Sequence, residues 1–411
     1  MLDRKNPYDV SRHGNWTIAI IMGIAAGFLF GGYEFARSTA TTLFKTTYGN
    51  ENLPVIMSIM PFGLILSLYF YGWLLSRLGP RKALKATSYI SALGMLFFYG
   101  TFQLGWKPSA GFLFILKDVY VVLLCEQYWS FMDSTLGSEA AKKLNGPFCG
   151  IASIGSILGG IGLSILSVPL GTPNMILFGA GAIIPASLFA NYAYRRFGEP
   201  KPPPDEPTVK IDHLGLGLFK AQPTLILLFL VIISTQIVAT ALELSFQGLL
   251  QDKIPNADLQ NAFSGRFFAW VNAAAAVSQF LLTPLILKMV PLSLMHVLIP
   301  VIHLGACGYL LANPSLFSAG FAFLTFKAID YSLFRAAKEI LYIPLSFDVR
   351  YRAKEIIDVF GYRFGKGGTS LTITFFKQCG FIFSSASFVK LALVGVGAWL
   401  FFIIPIVRNK K

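Results

Sequence analysis

The sequence predicts an all-α membrane protein, with twelve transmembrane helices in two six-helix halves. Three observations carry that expectation. Of 411 residues, 55% are hydrophobic and only 13% charged, against about 25% charged in an average soluble domain. The apolar residues gather into twelve runs, each of roughly 20 residues or more and so able to cross ~30 Å of hydrocarbon as a helix. One polar, proline-rich stretch divides the runs six and six.

Taken in order, the first six runs span about Trp16–Thr42, Pro54–Leu75, Ala86–Leu104, Gly111–Leu136, Gly146–Leu166 and Asn174–Tyr194. The last six span about Thr224–Leu249, Arg266–Met289, Leu292–Ala312, Leu316–Leu345, Val359–Phe383 and Phe388–Val407. Between the two sets lies FGEPKPPPDEPTVKID, where Pro202, Pro203 and Pro204 forbid a continuous helix. The expected domains are residues 1–196, a cytoplasmic linker 197–221, and residues 222–411.

Loop charge sets an expected orientation. Arg4, Lys5 and Arg12 precede the first run, and Arg77, Arg81, Lys82 and Lys85 follow the second. Lys142 and Lys143, the linker basics, Arg350, Arg352 and Lys354, and Arg408, Lys410 and Lys411 continue on the same side. The alternate loops hold only Lys45, Lys107 and Lys253, with Arg266 and Lys390 at nearby helix ends. Basic loops stay cytoplasmic, so both termini are expected inside, in a cell inner membrane. The net charge of +14 suits anionic lipid head groups or an anionic ligand. Cys125, Cys149, Cys307 and Cys379 and four scattered histidines show no metal spacing. No metal, cofactor or nucleic acid is expected, and the partners are the bilayer and a small anion bound by a monomer.

Charges at membrane depth are costly and usually mark a substrate path. They concentrate in runs 1, 4, 7 and 10: Glu34 and Arg37; Lys117, Asp118, Glu126 and Asp133; Glu243; and Lys327, Asp330, Arg335, Lys338 and Glu339. Run 11 adds Arg363, Lys366 and Lys377. Cations slightly outnumber anions. Guanidinium grips phosphate in a fork and ammonium acts as a point charge, so such a lining suits a phosphorylated anion. Gly365-Lys366-Gly367-Gly368 is expected to open run 11 and to offer backbone N–H groups to that anion. It lacks Walker A spacing, and neither an acyltransferase motif nor a nucleophile elbow is present, so an enzyme is not expected. Tyr33, Tyr128, Trp129 and Phe246 are available to stack on a base, with packing as the plainer reading. GIASIGSILGGIG in run 5 reads as a close helix-packing face.

The two halves carry a faint echo: SEAAKKLNGPFCG follows run 4 and RYRAKEIIDVFG follows run 10. Parallel halves, with charge in the first helix of each three-helix repeat, are the plan of major-facilitator carriers, whose site lies between the halves near the midplane. GWLLSRLGPRKALK (residues 72–85) partly resembles their loop signature, with Ser76 where an Asp belongs.

Three stretches resemble a narrower family, the non-mitochondrial ATP/ADP translocases of plastids and obligate intracellular bacteria. They are KAIDYSLFRAAKEILYIPL with RAKEIIDVFGYRFGKGGTSL, YWSFMDSTLGSEAAKKLNGPFCGIASIGSILGG, and ALELSFQGLLQDKIPNADLQNAFSG. The first run departs: where the family carries Arg-Asp-Thr-Lys-Asp-Thr, this chain has Arg37-Ser38-Thr39-Ala40-Thr41-Thr42. The resemblance implies a nucleotide carrier working by alternating access and counter-exchange, with Glu243 and Lys366 at functional positions. The basic residues expected to meet phosphate are Arg37, Lys117, Lys327, Lys338 and Lys366, and Glu126 and Glu243 balance that charge or take a proton. A carrier of another organic anion, proton-coupled or not, is the alternative.

Overall fold

The structure, a computed structural model, describes residues 12–136, 138–198, 223–342 and 356–408. The proline-rich linker, the basic loop before residue 356, Arg4, Lys5, Lys410 and Lys411 lie outside the described residues. Among the described residues every regular element is helical, and the helices form twelve continuous rods. They are α1 Arg12–Tyr48, α2 Leu53–Leu78, α3 Pro80–Gln103, α4 Pro108–Thr135, α5 Ser138–Leu170 and α6 Met175–Phe197. After these come α7 Pro223–Lys253, α8 257–289, α9 Leu292–Ala312, α10 316–342, α11 356–378 and α12 Ser385–Arg408.

Several rods outrun their apolar cores, because polar helix formers extend them. Lys142 and Lys143, expected in a loop, lie in the first turns of α5. The polar segment before Arg266 is helical too. Asn256 starts it by accepting the N–H groups of Asp258 and Leu259 on its side-chain oxygen, each at 3.0 Å. Asn256→Ala removes this cap, and a thermal melt should show a loss of about 1 kcal/mol. The expected basic loop after α2 shrinks to Gly79, whose φ of 74° turns the chain directly onto Pro80. Arg81, Lys82 and Lys85 therefore ride on the first turns of α3. Three rods contain a wide turn: Ser278–Leu282 in α8, Asp330–Phe334 in α10 and Ile356–Gly361 in α11. Such turns leave the regular hydrogen-bond ladder and often mark moving or functional sites.

Nine of the described helices are long and apolar enough to cross a membrane. The exceptions are α3, α10 and α11, where charged and hydroxyl residues lower the mean hydropathy. The surface is correspondingly inverted: Leu66 is 70% exposed, Phe317 74% and Phe401 72%. Buried positions include Thr39, Ser167, Gln260 and Asn261.

By contact the described chain groups into two units. One holds α1 to Thr47, α2 from Phe62, α3 to α6, and residues 256–272 at the start of α8. Within it α3 packs on α4 and α6. The packing of α1 on α5 is set by glycine. A Cβ on Gly155 would lie 2.1 Å from the carbonyl oxygen of Gly27, and one on Gly159 2.3 Å from that of Gly31. Backbones this close need glycine on both sides. The other unit holds residues 48–61, α7, α8 from Ala273, and α9 to α12. There α7 packs on α10, α11 and α12, and α9 packs on α10 and α12.

Candidate functional site

Each unit presents a cluster of ionic side chains. In the first unit, helical spacing places Arg37 one turn from both Tyr33 and Glu34 on α1. Arg37 is ion-paired with Glu34, which is only 2% exposed. The guanidinium lies 3.5 Å from the ring centroid of Phe268 and 5.2 Å from that of Tyr33. The second carboxylate oxygen of Glu34 accepts from Asn272 Nδ2 at 2.8 Å. On α4, Asp118 accepts from Lys117 Nζ at 2.6 Å and from the Tyr33 hydroxyl at 3.0 Å. Lys117 Nζ also sits 4.0 Å from the Phe114 ring centroid. Arg37 and Lys117 are thus linked through Tyr33 and Asp118, with Glu34 branching from Arg37. Glu126 lies nine residues further along α4, about 13 Å along the axis, and is exposed.

In the second unit Lys366 Nζ donates to Glu243 Oε2 at 2.9 Å, tying α11 to α7. Their side chains are 26% and 24% exposed. Lys327 lies 5.2 Å from the Tyr331 ring centroid and 5.6 Å from that of Phe323. Lys338 is buried, 3.9 Å from Glu339 Oε1 and 5.2 Å from the Tyr362 ring centroid. The wide turn Asp330–Phe334 separates Lys327 from Lys338 on α10.

The positive lining expected from the sequence is therefore a set of pairs. Arg37, Lys117, Lys338 and Lys366 each have a carboxylate partner, the one at Lys338 being loose. A polyanion would have to exchange for a carboxylate at each. The Lys366–Glu243 pair suits such an exchange, because both groups keep contact with their surroundings and neither would be stranded in a dry core.

The Gly365–Gly368 cradle is not formed. The helix already runs from Ile356, so these residues lie inside it and their N–H groups face the preceding turn. The glycines serve packing instead. A Cβ on Gly365 would meet the Gln236 side chain at 2.8 Å, and one on Gly367 would meet Pro61 at 2.4 Å. Tyr128 and Phe246 are core residues, Phe246 against Phe323 at 5.6 Å. Trp129 packs edge-on against Phe148. Sequence reasoning missed Phe268 and Asn272, which are neutral residues in a run read as an ordinary span. It also placed Lys45 in a loop, whereas Lys45 lies within α1 and is 2% exposed. Among the described residues no cluster of His, Cys, Asp and Glu could hold a metal ion.

Twelve rods with ionic pairs at membrane depth define a membrane-embedded protein of the major-facilitator fold. Solved transporters share it. The nucleoside transporter NupG superposes with a TM-score of 0.69 over 96% of this chain and 99% of its own, at 11% identity. A bacterial homologue of the iron transporter ferroportin does so with 0.68 over 95% and 98%, at 13% identity. Identities this low speak for the fold alone.

A narrower similarity includes the C-terminal part. Residues 316–409 match the TLC ATP/ADP transporter family. The ADP,ATP carrier protein 1 of Rickettsia bellii is 38% identical over 79 residues, 18% of this chain and 16% of the relative. That of Chlamydia trachomatis is 27% identical over 196 residues, 43% of this chain and 37% of the relative. The chain thus spans well under half the length of these curated relatives. The similarity to the TLC ATP/ADP transporter family is confined to that match over residues 316–409.

Proposed function

We propose that the protein is a carrier that moves nucleotides, ATP and ADP or related phosphorylated forms, across a cell inner membrane by alternating access. It works as a monomer built of two six-helix halves, residues 1–196 and 222–411, with both termini cytoplasmic. The relatives are carriers rather than enzymes by name. The observation that carries the reading is the location of the paired lysine. The segment matching the family, 316–409, supplies Lys327, Lys338 and Lys366, and Lys366 is already engaged by a carboxylate in ligand-like geometry. A phosphate that replaces Glu243 at Lys366 makes a charge-assisted contact of the same kind. When the substrate leaves, Glu243 returns. The lysine is then never left bare, which spares the empty carrier an unpaired charge. Glu126 serves as a further acidic group on the path.

A carrier of another organic anion is the second reading. It is favoured by the neutral Ser38, Ala40 and Thr41 beside Arg37 and by the ion-paired cations, which leave fewer charges to read a triphosphate. A competition panel separates the two. Proteoliposomes should take up labelled ATP, and unlabelled ADP should compete within about tenfold of ATP. Unphosphorylated nucleosides should compete at least about a hundredfold less well, the loss expected on removing charged hydrogen-bond partners. Equal competition by nucleosides, or no ATP uptake, would remove the nucleotide reading.

A further inference from the structure

Residues 258, 261, 265, 268 and 272 recur at steps of three and four along the start of α8. They therefore form one stripe on the helix. The stripe is not a hydrophobic seam but Asp258, Asn261, Gly265, Phe268 and Asn272. Every member meets α1, α5 or the turn after α5. The Thr172 amide and hydroxyl both donate to Asp258 Oδ1 at 2.6 Å. Asn261 Nδ2 donates to Thr39 Oγ1 at 3.0 Å and Ser167 Oγ at 3.2 Å. Gly265 lies against the Gly160 carbonyl, which a Cβ would approach to 2.7 Å. Phe268 carries the Arg37 guanidinium, and Asn272 holds Glu34.

A contact made of hydrogen bonds, one glycine and one aromatic ring differs physically from a packed apolar core. Water can replace its hydrogen bonds one for one, so opening it costs little and exposes only the Phe268 ring. The wide turn at Ser278–Leu282 follows directly, after residue 273 has passed into the other unit. Glu34 is the connecting group. It is buried and is held by Arg37 on one oxygen and by Asn272 on the other. If an anion takes the donors of Arg37, Glu34 loses its counter-ion. A buried, uncompensated carboxylate beside a phosphate is strongly unfavourable. Its escape from that position is loss of the Asn272 bond.

We propose that this polar stripe is a clasp released by the anion that Arg37 binds, with Glu34 and Asn272 as the positioning residues that transmit occupancy to it. This rests on the reading of Arg37 as an anion-binding residue. An empty carrier keeps the clasp closed and does not reorient, whereas a loaded one opens it. Strict counter-exchange follows from the clasp rather than from the binding site alone.

The test loads proteoliposomes with labelled ATP and measures efflux with and without external ATP. In the wild type, efflux should depend on external ATP. Asn272→Leu should raise efflux into ATP-free buffer roughly tenfold, the effect of losing one charge-assisted hydrogen bond. Asn261→Ala, which touches neither Arg37 nor Glu34, should do the same. Unchanged dependence on external ATP in both variants overturns the clasp. A second measurement does not require that nucleotides be the cargo. The Thr172 amide, which donates to Asp258 Oδ1 at 2.6 Å, should exchange its hydrogen for deuterium slowly in the unmodified protein. Inorganic pyrophosphate should speed that exchange, and Glu34→Gln should abolish the acceleration. Exchange indifferent to pyrophosphate overturns the clasp. Acceleration by pyrophosphate without any ATP transport keeps the clasp and removes the nucleotide reading instead.

Discussion

Lys366→Ala should weaken nucleotide uptake by about 10- to 100-fold in apparent affinity, the loss expected when a charged hydrogen bond to phosphate is removed. Glu243→Gln should act in the opposite sense on binding. With no carboxylate competing for Lys366 Nζ, which it now holds at 2.9 Å, substrate should bind more tightly and leave more slowly. Apparent KM should fall and maximal exchange rate should fall with it. The pair therefore gives a split that loss of fold cannot mimic: one variant raises KM, the other lowers both KM and rate. Fold damage from either should be small, since both side chains are about one-quarter exposed and partly solvated pairs contribute little to stability. Wild-type uptake kinetics in both variants would remove Lys366 and Glu243 from the site.

Gly155→Leu should abolish the folded first unit rather than tune it. Its Cβ would fall 2.1 Å from the Gly27 carbonyl oxygen and 2.4 Å from the Gly27 Cα, both backbone atoms of α1. Overpacking against yielding side chains costs about 1–3 kcal/mol. Here nothing yields except the separation of two helices, so the cost should exceed that range. Gly181→Leu in α6 is the control, because a Cβ there meets nothing within 4 Å. A thermal melt in detergent should show Gly181→Leu near the wild type. Gly155→Leu should be recovered only as aggregate or with a Tm lowered by more than 10 °C, on the scale of roughly 2–4 °C per kcal/mol for a folded unit of about 150–250 residues. A wild-type melt for Gly155→Leu would mean that α1 and α5 do not approach as described.

The helical rods were legible because membrane crossing imposes a length and a composition, and both leave their mark in a linear sequence. Their ends were less so. Ser138–Gly146 and Ala257–Gly265 are polar enough to resemble loops, yet they continue the helices α5 and α8. Hydropathy reports the lipid-facing middle of a helix, while its ends obey capping and local hydrogen bonding. Asn256 shows this: one side-chain oxygen, invisible to hydropathy, fixes where α8 begins.

What the sequence alone determined is that charge sits at membrane depth on α1, α4, α7, α10 and α11, and that glycines line α1 and α5. It could count cations and anions but not pair them. Pairing was decided by the fold, which set Lys366 against Glu243 across 123 positions and Glu34 against Asn272 across 238. The same holds for Gly365 and Gly367, whose spacing suggests an anion loop but whose neighbours are Gln236 and Pro61. Charge and small size are properties of a residue; the partner that neutralises or crowds it is a property of three-dimensional packing, and in a low-dielectric interior that partner decides whether a lysine is a binding group or half of a bond.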